Sequence, residues 1–275
     1  MDEQLSAQLM GTAVEAARQG GQLAMSLLGR PGYIKQKGPR DLVTGSTLDV
    51  QARIREIIQR DFPQHGILAE EGSPDSVTQG EFQWIIDPID GTTNYYRRLP
   101  PFAVSIALRQ GKRVLLGVVY DPTRDELFHA CRGQGAFLDE KRIRVTSKSE
   151  AYEAFIGTDW PNAPLDRQDS LRAAAVIIDE ALSLRTLGAP ALGLCYVAAG
   201  YLDTYYHLAL NLWDVAAAAV IVEEAGGAFS DLLGGAWIHS PGHYLATNGH
   251  LHDRMVKTFV GFWRMKDIAE KGIAR

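Results

Sequence analysis

The chain has 275 residues, 46% of them hydrophobic, and a formal net charge of −5, enough to bury a substantial core as one large domain or two fused halves. No basic run suggests a nucleic-acid surface, and the most apolar stretch, Trp213 to Val222, is interrupted by Asp214 and followed by Glu223 and Glu224, which argues against a membrane span. Asp2 and Glu3 open the chain without the pattern of a secretory signal, and Cys131 and Cys195 belong to no metal or redox spacing, so a reducing cytoplasm is the expected setting.

Leu5, Leu9, Ala13, Ala16 and Ala17, then Leu23, Leu27 and Leu28, recur at helical spacing until Gly29 and Pro31. Gly20-Gly21 argues against one unbroken helix there. Residues 35–43 read as a basic, flexible segment. Ser46 or Thr47 is placed to cap a second helix, whose apolar face includes Val50, Ile54, Ile57 and Ile58 and which Phe62-Pro63 stops. A short strand-like run, Ile67-Leu68-Ala69, ends in Glu70-Glu71-Gly72, and a second, Trp84-Ile85-Ile86, is expected to stop at Pro88. Beyond a break at 98–101, β-rich runs at 102–109, 113–120, 126–130 and 141–145 are joined by short turns, which implies antiparallel pairing. From about Ala151 the pattern alternates: strands near 155–157, 184–187 and 202–206, helices near 171–175 and 191–199, and a last helix opened by Trp213-Asp214 and capped by Gly226-Gly227. The expected organisation is a helix pair on an antiparallel sheet over 1–150 and an α/β half over 151–275. The seam falls near Glu150, with the site between the halves in one compact unit.

Three segments share one format, an apolar run or Trp followed by an acid at an element's boundary: Ala69-Glu70-Glu71, Trp84 to Asp90, and Trp213-Asp214-Val215-Ala216. Asp87-Pro88-Ile89-Asp90 offers acceptors for a hard cation, while Gly91-Thr92-Thr93-Asn94 offers backbone donors at a helix start, where anions bind. Four carboxylates brought together would repel by roughly 3 kcal/mol per pair at ~5 Å and an effective dielectric of ~20, so such a cluster needs cations. Oxygen ligands without Cys or His favour Mg²⁺ or Mn²⁺ over Zn²⁺.

Together with Glu224-Ala225-Gly226-Gly227, Lys37-Gly38, Asp41-Leu42-Val43-Thr44, Phe102 to Ala107, Gly117 to Pro122 and Arg132 to Ala136, these segments resemble the signatures of the inositol monophosphatase family, in its order and spacing. The resemblance implies a layered α-β-α-β-α sandwich, a homodimer, lithium inhibition, and Mg²⁺-dependent hydrolysis of a small phosphate monoester by activated water. Inositol 1-phosphate or a related polyol or sugar phosphate is the expected substrate. Fructose 1,6-bisphosphate, a nucleotide 3′-phosphate, NADP and histidinol phosphate share the chemistry, and a weakly active or inactive regulatory homologue is the alternative of another class. It further implies two to three ions held by Glu70, Asp87, the carbonyl of Ile89, Asp90 and Asp214. Glu70, Asp90 and Thr92 would serve catalysis, Gly91, Thr92 and Thr93 the phosphate, and Asp90, Gly188, Ala189, His207 and Asp214 the substrate.

The chain departs from that pattern in three places. The family's second aspartate after Asp41-Leu42-Val43-Thr44, which pairs with the water-positioning threonine, is replaced by Thr47. Asp49 lies about 200° away around a helix and does not obviously substitute. Thr47 therefore reads as a helix cap. His207 stands where members acting on inositol phosphate carry a glutamate, and Pro190 replaces a small residue beside the sugar. Lys37 and residues 157–162, with Trp160, are further candidates to approach the ligand, whereas Glu71, Glu223 and Glu224 read as solvated charges.

Overall fold

The computed structural model describes residues 3–30, 32–38, 40–72, 82–239 and 242–270. The first helix, α1 (Glu3–Leu27), is unbroken. Its glycines serve close approach rather than a break: a Cβ on Gly21 would lie 2.6 Å from the Tyr120 ring, and one on Gly20 would lie 3.0 Å from Ile54. The segment expected to be flexible is instead an antiparallel hairpin, β1 (Ile34–Gly38) with β2 (Asp41–Thr44). The following helix, α2 (Gly45–Asp61), is capped by Thr44, not Ser46 or Thr47: Thr44 Oγ1 accepts from the Thr47 amide at 3.2 Å.

A seven-stranded sheet follows in the order β3 (Gly66–Ala69), β4 (Phe82–Asp90), β5 (Ala103–Gln110), β6 (Arg113–Asp121), β7 (Glu126–Cys131), β8 (Gly135–Leu138) and β9 (Lys141–Ile143), antiparallel throughout except for the β3–β4 pair. Where a short turn is expected between 126–130 and 141–145, the structure has β8: Gly133 and Gly135 have positive φ, after which Ala136-Phe137-Leu138 pairs with β7. Glu223 and Glu224 also depart from expectation: both are half-buried, Glu223 pairing with Arg132 and Glu224 accepting the amides of Gly133 and Gly135.

A five-stranded mixed sheet has the order β11 (Ser183–Arg185), β10 (Phe155–Thr158), β12 (Thr204–His207), β14 (Tyr244–Thr247), β13 (Ala228–Ser230). Alternate side chains along each strand point to opposite faces. On β4, Trp84 and Ile86 therefore pack toward α1 and α2, while Ile85 faces α5 (Pro190–Ala198) and α6 (Leu212–Glu224). The second sheet covers the other side of α5 and α6 and turns Ile156, Tyr206 and Leu245 toward α4 (Pro164–Ile178) and α7 (His252–Glu270). The layers are thus α-β-α-β-α. Gly226, at φ +89°, ends α6 with its amide on the Glu223 carbonyl. No described helix is long and apolar enough to cross a membrane.

Candidate active site

The site begins with an irregularity in β4. That strand does not stop at Pro88 but runs through Asp90, with a register shift between Asp87, opposite Ser105, and Asp90, opposite Ala103. Three steps on β4 match two on β5, the signature of a bulge, and a bulge tolerates the proline that a regular central ladder would not. Two steps on β5 return to the same face, so the bulge turns Asp87 and Asp90 to one side of the sheet, where an unbulged strand would place them on opposite sides.

Both carboxylates are about 97% shielded from solvent, each with 3% exposure. Asp87 Oδ1 accepts the Ile89 amide at 3.0 Å, and Asp90 Oδ2 accepts the Ala191 amide at the start of α5 at 2.9 Å. Burial, then the neighbouring charges of Glu70, Asp90 and Asp214, hold the Asp87 carboxyl well above the ordinary range. Asp90 is raised by burial and by Asp214, against the lowering effect of the Ala191 amide. Glu70, which follows β3, and Asp214, in the first turn of α6, are half-buried. Asp214 Oδ2 accepts the Asn211 amide at 2.7 Å and so fixes the helix start.

These four acids line a cleft of about 650 Å³ together with Ile89, Gly91, Thr92, Thr93, Gly188 and His207. Ala189 does not line it. Its side chain is fully buried, 3.2 Å from where a Cβ on Gly91 would lie, and Pro190 occupies the wall instead. Gly91 has φ +85°, and a Cβ there would come within 2.8 Å of the Gly188 carbonyl. Glycine is therefore required both for the turn and for the approach. After it, the short helix α3 (Thr92–Arg97) begins, and the Thr92 hydroxyl donates to the Ile89 carbonyl at 3.0 Å.

Among the described residues no three His, Cys, Asp or Glu side chains form a ready metal cage. The donor set nonetheless fits a hydrated Mg²⁺: buried, mutually repelling carboxylates beside a carbonyl, at an open cleft where water and ligand oxygens complete the shell. Zn²⁺ sites characteristically include at least one nitrogen or sulfur donor. His207 does not supply one readily: its Nδ1 accepts the Ala209 amide at 3.0 Å, and burial lowers its pKa to about 3. The ring is therefore neutral with its proton on Nε2, a donor where a glutamate would be an acceptor. Thr47 is fully buried with its hydroxyl 2.9 Å from that of Thr44, and Asp49 is exposed outside the cleft. The Lys37 side chain lies outside the described residues.

Asp159 was missed as an individual residue, although it repeats the strand-then-acid format after β10. It is 5% exposed, its Oδ1 accepts the amides of Leu187 and Gly188 at 2.7 Å each, and its Oδ2 accepts the Tyr205 hydroxyl at 2.8 Å. Asn94 ties the same corner from the other side, donating to the carbonyls of Pro101 and Leu187 at 2.8 Å. These bonds hold the loop that delivers the Ala191 amide to Asp90. Arg40 and Arg167, also unflagged by the sequence, line the outer cleft.

The inositol monophosphatase family profile matches residues 6–263. The Escherichia coli K12 protein named Nus factor SuhB is 38% identical over 259 residues, covering 93% of this chain and 96% of that one. Among solved structures, an IMPase of Thermotoga maritima superimposes with a TM-score of 0.86 at 34% identity, over 93% of this chain and 98% of that one. The extragenic suppressor protein suhB of Bartonella henselae gives 0.88 at 33%, over 91% and 98%. A profile spanning nearly the whole chain, relatives above 30% identity over nearly their full length, and the shared fold agree that the chain belongs to the inositol monophosphatase family.

Proposed function

We propose that the protein is a Mg²⁺-dependent phosphomonoesterase acting on a small polyol or sugar phosphate, with inositol 1-phosphate the first compound to test. The observation that carries this reading is the bulge that turns Asp87 and Asp90, buried and facing Glu70 and Asp214, into one cleft. Glu70, Asp87, the Ile89 carbonyl, Asp90 and Asp214 would hold two to three ions, with Mn²⁺ as a substitute. When bound, Mg²⁺ supplies charge neutralisation for the phosphate and lowers the pKa of water.

The chain's own residues do the rest. Backbone N–H groups of Gly91, Thr92 and Thr93 receive the phosphate oxygens, as such groups do where a turn meets a helix. The Thr92 hydroxyl, now on the Ile89 carbonyl, orients the attacking water, with Glu70 beside it. Asp90, Asp214, Gly188 and His207 contact the alcohol moiety, and Ala189 holds Gly91 from below. A homodimer and a cytoplasmic setting, the latter supported by two buried free cysteines, complete the proposal.

A second reading rests on two observations. The water-positioning acid is absent at Thr47, and relatives are named Nus factor. On this reading the chain is a weakly active or inactive binding partner in a regulatory assembly. Phosphate release from a panel of monoesters, with and without Mg²⁺ and beside Asp87→Asn, separates the two. Turnover that needs Mg²⁺ and disappears in the variant supports the phosphatase; no turnover on any ester, with Mg²⁺ binding intact, supports the regulatory reading.

A further inference from the structure

The cleft has two chemically opposed ends. Glu70, Asp87, Asp90 and Asp214 occupy one, while Arg40 and Arg167 occupy the outer rim. Arg40 lies in the turn between β1 and β2 at φ +69°, and its Nη1 donates to the Asn162 carbonyl at 3.2 Å. Arg167, in the first turn of α4, donates from Nη1 to the Pro161 carbonyl at 3.1 Å. Two cationic side chains from separate parts of the fold thus meet consecutive carbonyls of one loop.

Among the described residues, neither guanidinium pairs with a carboxylate. Each carries five N–H donors in a planar fork suited to phosphate or carboxylate, and a single carbonyl leaves most of them uncommitted. A chain of net charge −5 therefore keeps two unneutralised arginines at the mouth of a cleft whose floor is acidic. A phosphate seated on Gly91 to Thr93 does not fill a cleft of about 650 Å³. Leu99 and Trp160, 58% and 37% exposed, line the same cleft and offer apolar surface to a carbon skeleton. His207 adds a donor rather than an acceptor to its wall.

Building on the phosphatase reading, we propose that the substrate carries a second anionic group, a phosphate or a carboxylate, and that Arg40 and Arg167 form the subsite that receives it. The scissile phosphate lies at the acidic floor with its cations, and the second anion lies at the rim. Arg40, exposed and held by one hydrogen bond, can follow ligands of different length; Arg167, half-buried, fixes the position.

The test compares matched esters with and without a second phosphate, inositol 1-phosphate against inositol 1,4-bisphosphate and fructose 1-phosphate against fructose 1,6-bisphosphate. Wild type, Arg40→Gln, Arg167→Gln and the double variant are assayed. Arg254→Gln, which removes a charge ion-paired with Glu180 on the surface, is the control. Calorimetry with a non-hydrolysable bisphosphonate measures affinity without turnover. The expected result is a preference for the bisphosphates in kcat/KM that falls about tenfold with each cleft substitution, mainly through KM, and survives in the control. Bisphosphonate affinity falls in parallel. Equal kcat/KM for paired esters in the wild type, or a preference that persists in the double variant, overturns the proposal. If no ester is hydrolysed, the phosphatase reading fails, and the calorimetry alone decides the subsite: unchanged bisphosphonate affinity in the double variant overturns it, and weakened affinity supports it.

Discussion

Gly117→Ala is the substitution whose effect follows most directly from the packing. Gly117 lies on β6 under α6, and a Cβ there would sit 2.3 Å from the carbonyl oxygen, 2.6 Å from the Cα and 2.8 Å from the carbonyl carbon of Ala217. All three atoms are backbone, so no rotamer change relieves the clash. Restoring ordinary contact, which begins at 3.4 Å, requires helix and sheet to separate by about 1 Å. Overpacking of this kind costs about 1–3 kcal/mol, which for a chain of this size is a fall in Tm of roughly 2–12 °C. Asp214 stands in the first turn of the displaced helix, and a shift of ~1 Å in a reacting constellation can lower turnover about 10²-fold. The assay is thermal melting together with Mg²⁺-dependent phosphate release. Gly11→Ala is the comparison: exposed on α1 with nothing within 4 Å of a Cβ, it should hold or raise Tm, since alanine is favoured over glycine mid-helix by about 0.5–1 kcal/mol. A Gly117→Ala protein that melts within about 1 °C of wild type with full activity would refute the packing argument.

Two further outcomes follow from the buried titratable groups. The Asp87 carboxyl is raised in the fold by burial and by its acidic neighbours, so its protonated form stabilises the protein below the unfolded value of about 3.9 and that contribution is lost as pH rises through the folded value. Metal-free Asp87→Asn should therefore melt above wild type at about pH 8, the gap closing toward pH ~4, while Mg²⁺ raises the wild-type Tm with concentration and the variant's less; identical melting curves of the two metal-free proteins across that range would contradict this. His207 is shifted the other way by burial, to about 3. Its neutral ring stabilises the fold above the unfolded value of ~6.5, and the contribution is lost as pH falls toward the folded value, so His207→Gln should flatten the acid limb of a Tm–pH curve. An acid limb as steep in the variant as in wild type would exclude His207 as its source.

Local signals in the sequence reached far where the residue pattern and the structural cause are the same thing. Ile54, Ile57 and Ile58 mark a helix face because burial on one side of α2 demands that spacing, and Trp84, Ile85 and Ile86 read as a buried strand because both faces of β4 are covered. The errors have one source, namely partners distant in the chain. Gly20-Gly21 looks like a helix breaker until Tyr120 and Ile54 are seen to require the space. Pro88 looks like a strand end until the bulge opposite Ser105 and Ala103 accommodates it. Thr47 looks like a cap, yet Thr44 one turn earlier is held extended by the hairpin before it and takes that role. At the site, Glu70, Asp87, Asp90 and Asp214 were legible because each acid ends or opens an apolar element. Arg40 and Arg167 were not, because nothing around either residue indicates that both would meet the carbonyls of Pro161 and Asn162.

Helix α6 has no solvent side: every residue from Val215 to Val222 is fully buried, with one sheet on either flank. A helix so placed is shielded from water only when both flanks exist, so its burial depends on both halves of the chain. A chain cut near residue 150 would leave Ile85, Ala103, Ala107 and Val119 facing water, an adhesive surface on a twisted sheet. Asp214 comes from the second half of the chain and Glu70, Asp87 and Asp90 from the first, so a cation held by all four would report on both halves rather than on either alone.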